Sequence, residues 1–552
     1  MEDATVRLRL AFISISCLSY GFAATIRVPG DLPTIREAVD AAASGDCVLV
    51  APGEYLIGDP IDFNHHHDPE NPESPALKDI ALVAEDGPAN TALRKVPILG
   101  SVLNFHHGES RASLVEGFTI DNGHGDVVDM WETIQEVLER GFGGGISCFN
   151  SSPTIKNCII ARNDAASGGG MWVSCRFEGP RVVGCLFSEN GAGSGSGIFV
   201  RDGFVVMEGC EFLGNFDASA IGIEGPSSMI LQGCIIHGNT GGFLGGGVFC
   251  NSSLLAVSCV IAGNKAVTPW PEMPACGGGL FAWGGSTTLV NCTIVDNAAM
   301  FGAGVFGTNS ALITCRNSVL WGNKASEDGD QIALMPYTLD PPMPCSIDVD
   351  HCIVEDGQDG AYIGRAGSLA WLDGNSRSDP LIQQQGYWDD RLGTPEEPSD
   401  DVWMPGDYHL MQSSPAIGAG VITGAGILDF DGLWRPDSQG VDLGAYESNG
   451  EPAPLQIAFN RGDSNVDGVV TISDAVLVLR YMFSAGRTPL CLDAADVNDN
   501  GSVDLGDVLL SLSYMFGAHS GFVYRMSGQF VSCEPDHTWD ALTCESYPPC
   551  RF

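Results

Sequence analysis

The sequence predicts a mainly β protein: a solenoid of short stacked parallel strands, followed by a small α-helical unit built on two metal-loop repeats. Three observations carry this. A Cys recurs at Cys158, Cys185, Cys210, Cys234, Cys259 and Cys292, with Ser318 next in register, at intervals of 24 to 27 residues and one of 33. Five positions after each stands an Asn: Asn163, Asn190, Asn215, Asn239, Asn264, Asn297 and Asn323. Near the C-terminus "GDSNVDGVVTISD" is rewritten 33 residues later as "ADVNDNGSVDLGD". A period near 25 is the mark of a solenoid.

The residue types around the repeat define its coil. Two positions after each Cys slot comes a large apolar residue (Ile160, Phe187, Phe212, Ile236, Ile261, Ile294, Leu320), and the position between is mixed, including Glu211 and Thr293. This is strand alternation with the Cys and apolar slots facing inward. Three before each slot sit Ile155, Val182, Met207, Leu231, Ala256, Leu289 and Cys315, so the inward parity changes across a bend. Strands and bends of this length make a parallel β-helix. Asn side chains in register can form a hydrogen-bonded ladder, and the same Asn is expected to supply the left-handed bend. Gly117 with Asn122 is read as an earlier member of the series. The Cys column reads as small apolar filling, reduced because neighbouring coils hold the Cβ atoms too far apart for disulfides.

The chain of 552 residues carries a formal charge of −43, which argues against a nucleic-acid partner. Its 44% hydrophobic content is enough for a large core. Arg7 and Arg9 followed by "LAFISISCLSYGFA" read as an export signal cleaved near Ala23. Ser14 stands where a lipoprotein signal ending at Cys17 would want Leu, so soluble export is expected. Nothing else suggests a membrane span.

The ends of the solenoid carry a resemblance. "TIRVPGDLPTIREAVDAAASGDCVLVAPGEY" (25–55) resembles the N-terminal cap of bacterial right-handed parallel β-helix proteins of the pectin-lyase-like superfamily, in which a short helix covers the first coil. "SLVEGFTI" (113–120) fits the same family, and "SDPLI", "GDYHLMQSSPAIGAG" and "ILDFDGLWRPDSQGVDLGAYE" look like its closing region. The resemblance implies the fold and leaves the activity open, because one scaffold hosts lyases, hydrolases, adhesins and passive surface proteins.

The two Asp/Asn-rich loops resemble those of a type I dockerin. The first offers Asp463, Asn465, Asp467, the Val469 carbonyl, Thr471 and Asp474; the second offers Asp496, Asn498, Asn500, the Ser502 carbonyl, Asp504 and Asp507. Hard oxygen donors at this spacing, with Gly468 and Gly501 at the sharp turn, suit two Ca²⁺ ions. "AVLVLRYMF" and "VLLSLSYMF" supply the matching helices. The "RGD" beginning at Arg461 then ends on a calcium ligand and is no adhesion tripeptide. Loop positions ten and eleven, which help dockerins recognise cohesin, are Ile472 and Ser473, and Leu505 and Gly506. A cohesin-like partner is therefore implied without the usual Ser/Thr pair. Cys491, Cys533, Cys544 and Cys550 suggest two disulfides of open connectivity. The expected domains are a signal peptide (1–23), a capped β-helix (24–355), its closing region (356–448), a linker (449–458), the dockerin (459–518) and a Cys-containing tail (519–552).

Candidate chemistry on the solenoid is sparse. "DNGHGD" (121–126) holds the Gly-His-Gly of polygalacturonase-like glycosidases without the paired Asp motifs that such hydrolysis needs. His65, His66, His67, His106, His107 and His124 crowd the first coils, but no fixed ligand spacing links them, and they read as solvated loop histidines. Arg176 and Arg201 each lie nine before a column Cys, which predicts that they stack beside Asp202 and could bind a uronate; the plainer reading is a solvated Arg pair. Two functions stay open: a secreted or cell-surface protein that binds or breaks down polysaccharide as a glycoside hydrolase or polysaccharide lyase, or a noncatalytic surface, adhesion or scaffold protein.

Overall fold

A computed structural model describes residues 23–68, 71, 73–125, 141–268, 273–336, 342–390, 401–436, 440–448, 460–483, 488–497 and 503–516. The export signal and the tail with Cys533, Cys544 and Cys550 lie outside them. The chain divides into two compact units, residues 1–451 and 452–552.

In the first unit each coil repeats the same local events. Strand Thr154–Lys156 runs into one left-handed residue, Asn157 (φ 51°), and then into strand Ile159–Ala161. A second left-handed residue, Arg162 (φ 55°), precedes Asn163 and the two-residue strand Asp164–Ala165. A Gly-rich corner then returns the chain to the large sheet at Met171–Val183. The next coil pairs parallel with this one, Ile155 opposite Val182 and Ile160 opposite Phe187. Stacking builds a twenty-stranded sheet, an eleven-stranded sheet and short third-sheet pairings, as the alternation predicts. The inward columns are wholly buried, and the stacked rings of Phe187 and Phe212 lie 4.7 Å apart.

The Asn ladder satisfies every polar atom of a buried amide. Asn239 Nδ2 donates to Asn264 Oδ1 at 2.9 Å and to the Phe212 carbonyl at 3.0 Å. Its Oδ1 accepts from the Asn215 backbone N–H and from Asn215 Nδ2, each at 2.9 Å. The same bonds run from Asn163 to Asn323. At one end the Gly123 amide donates to Asn163 Oδ1, and at the other Asn323 Nδ2 turns to Gln331 Oε1.

Two register expectations are corrected. The ladder asparagines are not the left-handed residues; the residue before each is, at Arg162, Glu189, Gly214, Gly238, Gly263, Asp296 and Gly322. This bend turns the following Asn side chain inward. Gly117 is likewise off by one: Thr119 pairs with Ile159, so the Cys slot of that coil is the buried Phe118, and Gly117 takes the bend position of Asn157. The column itself is free thiol, and Cys352 extends it beyond Ser318, whose backbone N–H reaches its sulfur at 3.4 Å. Burial pushes the thiols of Cys185, Cys210 and Cys259 well up, and that of Cys352 to about 12.

At the N-terminal end helix α1 (Ile35–Ala41) closes the core as expected. Thr34 caps it, accepting from the Glu37 amide, and Ile35, Ala38 and Val39 face inward. Parallel pairing continues to Gly367–Trp371, beyond the expected solenoid boundary at 355. The segment after it packs along the flank of the second sheet. Trp403, Tyr408 and Tyr446 cover Val260, Ala262 and Val295, while Leu410, Ala416 and Leu443 cover Val319 and Ile353. This explains part of the mixed outward position: Ile235, Val260 and Val319 lie beneath the flank, where Thr293 Oγ1 also accepts the Ala445 amide. Trp388 donates to the Gly263 carbonyl (3.1 Å), and Lys265 sits over its ring while pairing with Asp401 (3.2 Å).

Asn239→Ala strands two buried donors on Asn215, each costing about 1–3 kcal/mol, so a loss of about 2–5 kcal/mol is expected in denaturant unfolding, against less than about 0.5 kcal/mol for the exposed Asn90→Ala. Thiol titration should find the thirteen described free cysteines inert in the native protein and released by denaturant without reductant. On the flank, His409 lies between Asp431 (2.7 Å) and Asp407 (2.5 Å). Hydrogen bonding to Asp431, with help from Asp407, lifts its pKa from 6.5 to about 9. A raised folded value means that the stabilisation is fully present below the free value and is lost as pH rises through about 9. Proteolysis of the flank should accelerate over that window, and His409→Gln should abolish the pH dependence.

Candidate functional site

The second unit gathers the predicted calcium donors of the first loop. Asp463, wholly buried, accepts from the amides of Asp467 (3.1 Å) and Gly468 (2.7 Å). Asn465 accepts from the Asp467 amide (2.9 Å), and Asp467 from the Val469 amide (3.0 Å). Asp474 closes the loop, accepting from Asn465 (3.0 Å) and Thr471 (2.8 Å). Burial, with the charges of Asp463 and Asp467 adding to it, raises the Asp474 carboxyl above its ordinary range. Gly468 makes the turn at φ 91°. Crowded hard oxygens of this kind fit Ca²⁺, whose charge would relieve their repulsion. In the second loop Asp496 and Asp507 are wholly buried, and Asp507 accepts from the Asp504 amide (2.7 Å). Asn498, Asn500, Gly501 and Ser502 lie outside the described residues.

The loops are tied to each other. Arg461, 2% exposed, donates to the Asp496 carbonyl (2.6 Å), and the Gly462 amide donates to Ala494 (2.7 Å). With both Arg461 and Asp463 buried, the RGD tripeptide offers nothing to a receptor. Helices α2 (Ile472–Phe483), α3 (Leu492–Ala495) and α4 (Leu505–Phe516) meet on Ala475, Val478, Ala495 and Val508. Cys491, just before α3, is disulfide-bonded. Sequence reasoning missed a duplicated apolar face: Ile472 and Val476 on α2, and Leu505 and Leu509 on α4, are all exposed. The 33-residue repeat, applied to the helices as well as the loops, contains the signal.

On the solenoid, the Arg176 and Arg201 stack is not formed as spacing predicted. Val173 pairs with Val200 but Ser174 pairs with Asp202, so Arg201 falls in a bulge; Glu178 next pairs with Phe204, leaving three residues opposite Gly203. Counting from the Cys column fails because it runs through these bulges. Both arginines are exposed. Arg176 lines a cavity of about 310 Å³ with Asn150, Cys175 and Glu178, and Asp202 accepts from Ser174 Oγ at 3.4 Å.

The "DNGHGD" segment is tied into structure. Asp121, wholly buried, takes hydrogen bonds from Arg94 (3.1 Å) and Arg162 (2.6 Å), and Asp126 lies outside the described residues. Among the clustered histidines, His67 bonds to the Pro75 carbonyl (2.8 Å), His106 to Ser147 (2.9 Å) and His107 to Asp62 (3.2 Å). His65 and His66 instead converge with Asp40 of α1, a neighbour that sequence spacing could not supply.

Residues 117–294 and 194–376 match the family described as right handed beta helix region, and residues 461–514 match the dockerin type I domain. The chain is a right-handed parallel β-helix protein with a C-terminal type I dockerin, a domain type that binds calcium. No curated protein sequence matches it. Similar solved structures include a pectate lyase (13% identity, TM-score 0.39, covering 78% of this chain and 98% of that one). They include the catalytic domain of a GH87 alpha-1,3-glucanase in complex with nigerose (11%, 0.34, 64% and 69%) and a polygalacturonase from Erwinia carotovora ssp. carotovora (11%, 0.26, 64% and 97%). At these scores the likenesses carry no conclusion about activity. No helix among the described residues is long and apolar enough to cross a membrane.

Proposed function

We propose that this is an extracellular protein that binds or breaks down polysaccharide on its β-helix, as a glycoside hydrolase or polysaccharide lyase, and docks, through two calcium-loaded loops, onto a cohesin-like partner. The observation that carries the reading is the pairing of a type I dockerin with a long β-helix in one chain. Under it, residues 1–23 are the export signal. Asp463, Asn465, Asp467, Thr471, Asp474 and the Val469 carbonyl hold one Ca²⁺. Asp496, Asn498, Asn500, Asp504, Asp507 and the Ser502 carbonyl hold the other. The exposed pairs Ile472/Val476 and Leu505/Leu509 make the partner surface apolar, and the duplication offers it twice. The exposed Arg176 and Arg201, offset from each other by the bulge on neighbouring strands, make with Asp202 an open ledge that takes a uronate or other anionic sugar.

A noncatalytic role is the second reading, favoured by the burial of Asp121 between two arginines, which removes it from general-acid or general-base work. Screening on acidic and neutral polysaccharides, with unsaturated products and reducing ends followed separately, distinguishes the two: a lyase gives the former, a hydrolase only the latter, and a binding protein neither.

Calorimetry on the full chain should find two Ca²⁺ per molecule, and circular dichroism should gain helix on binding, because a small acidic unit draws much of its folding free energy from the metal. Asp463→Ala with Asp496→Ala should abolish the uptake while the β-sheet circular dichroism persists; absence of uptake by the parent overturns the loop assignment. Arg176→Ala with Arg201→Ala should weaken retention on uronate polymers at least about tenfold at low salt, and the parent's retention should fall as salt rises. Equal retention by variant and parent returns the ledge to ordinary solvated surface.

A further inference from the structure

We propose that Asp40, His65 and His66 form a transition-metal site of the zinc class that clamps α1 to the first coils of the solenoid. Asp40 lies in the last turn of α1, and the two histidines lie in the turn after strand Ile61–Asp62. One ligand atom from each, two imidazole nitrogens and a carboxylate oxygen, lies within 4.8 Å of the others. His65 Nε2 and Asp40 Oδ1 are 3.4 Å apart. That is long for an N–H···O hydrogen bond, which centres near ~2.9–3.0 Å. It is the edge of a tetrahedron whose ligands sit ~2.0–2.1 Å from a central ion, an edge of roughly 3.3–3.4 Å.

The surroundings orient the donors. His65 Nδ1 lies 3.3 Å from the Asp62 carbonyl, a contact in which Nδ1–H donates. This tautomer leaves the Nε2 lone pair facing Asp40, the arrangement in which metal-ligating histidines are ordinarily held. The His65 and His66 rings pack at 3.8 Å, tilted by 42°, so each restrains the other. Lys78 holds the end of α1 by donating to the carbonyls of Val39 (2.5 Å), Asp40 (3.3 Å) and Ala42 (3.1 Å), which fixes the backbone that carries Asp40. Three protein ligands leave a fourth position, and with Asp40 and His66 exposed that position is open to water.

The test uses the full chain, saturated with Ca²⁺ and stripped of transition metals. Co²⁺ should bind at one site per chain with visible d–d absorption that Zn²⁺ bleaches, and Zn²⁺ should slow protease cleavage within α1. Asp40→Asn, His65→Gln and His66→Gln should each weaken Co²⁺ uptake at least about tenfold. All three side chains are at least partly exposed, so the variants should keep the parent's β-sheet circular dichroism. Two results overturn the proposal: no Co²⁺ uptake by the parent, or uptake with an unchanged spectrum in the three variants, which would put the metal elsewhere on the chain. Should a variant lose its fold, the parent's Zn²⁺-dependent protection of α1 decides alone, because a metal bound elsewhere leaves that cleavage rate unchanged.

Discussion

A buried carboxamide has two donors and two acceptor sites, and in this solenoid the neighbouring coils supply the partners for them. That constraint organises the first unit. Each Asn from Asn190 to Asn297 finds its partners only when a coil lies on either side at the correct height, with the same side chain in the same place. The bend before each Asn, the Gly-rich corner after it and the apolar columns on either side all serve to bring the next amide into line. The ends show what the ladder requires: Gly123 supplies a bare backbone N–H at one, and Gln331, itself held by Glu355 at 2.9 Å, supplies the last acceptor at the other. Sulfur fills the neighbouring column because a thiol occupies the slot and spends its weak donor on a nearby carbonyl.

Much of this was legible from periodicity, because stacking makes each coil an alignment of the protein with itself. The misreadings arise where that self-alignment is locally broken. Spacing alone puts Gly117 in the Cys slot, whereas the pairing with the next coil puts Phe118 there and leaves Gly117 at a bend. Arg176 and Arg201 share a spacing to the Cys column, but bulges lie between, so that from the paired Val173 and Val200 to that column one coil takes 12 residues and the next takes 10. The left-handed position was assigned to Asn on propensity, yet Arg162, Glu189 and Asp296 hold it, since the hydrogen bonds of the following amide outweigh the modest cost of a side chain there. Asp40, on a helix and 25 residues before the first of the two histidines it meets, has no signal in spacing at all.

The second unit depends on a different balance. Its core is a handful of small residues, Ala475, Val478, Ala495 and Val508, while its loops bury Asp463, Asp474, Asp496 and Asp507. The mutual repulsion of so many buried carboxyls is what a bound cation would relieve, so the sequence pattern of the loops is the stronger guide here and the helices follow from it. Arg461, the only one of these buried ionisable groups with positive charge, points at a backbone carbonyl and joins the two loops into one unit.

On the flank of the solenoid, Trp403 lies against Gly238 and Gly263, two bend positions on successive coils where an added Cβ would run into the indole. Earlier coils place Arg162 and Glu189 at the same bend, and the next one places Asp296 there. The indole therefore works as a gauge. A chain whose coils had slipped one step toward Asp296 would present it with a carboxylate side chain in place of bare backbone, and the flank could not seat, whereas Gly214 on the other side leaves the opposite slip open. The segment that follows the solenoid thus checks the stacking beneath it in one direction, and a solenoid otherwise tolerant of near-identical neighbours acquires a stop on one side.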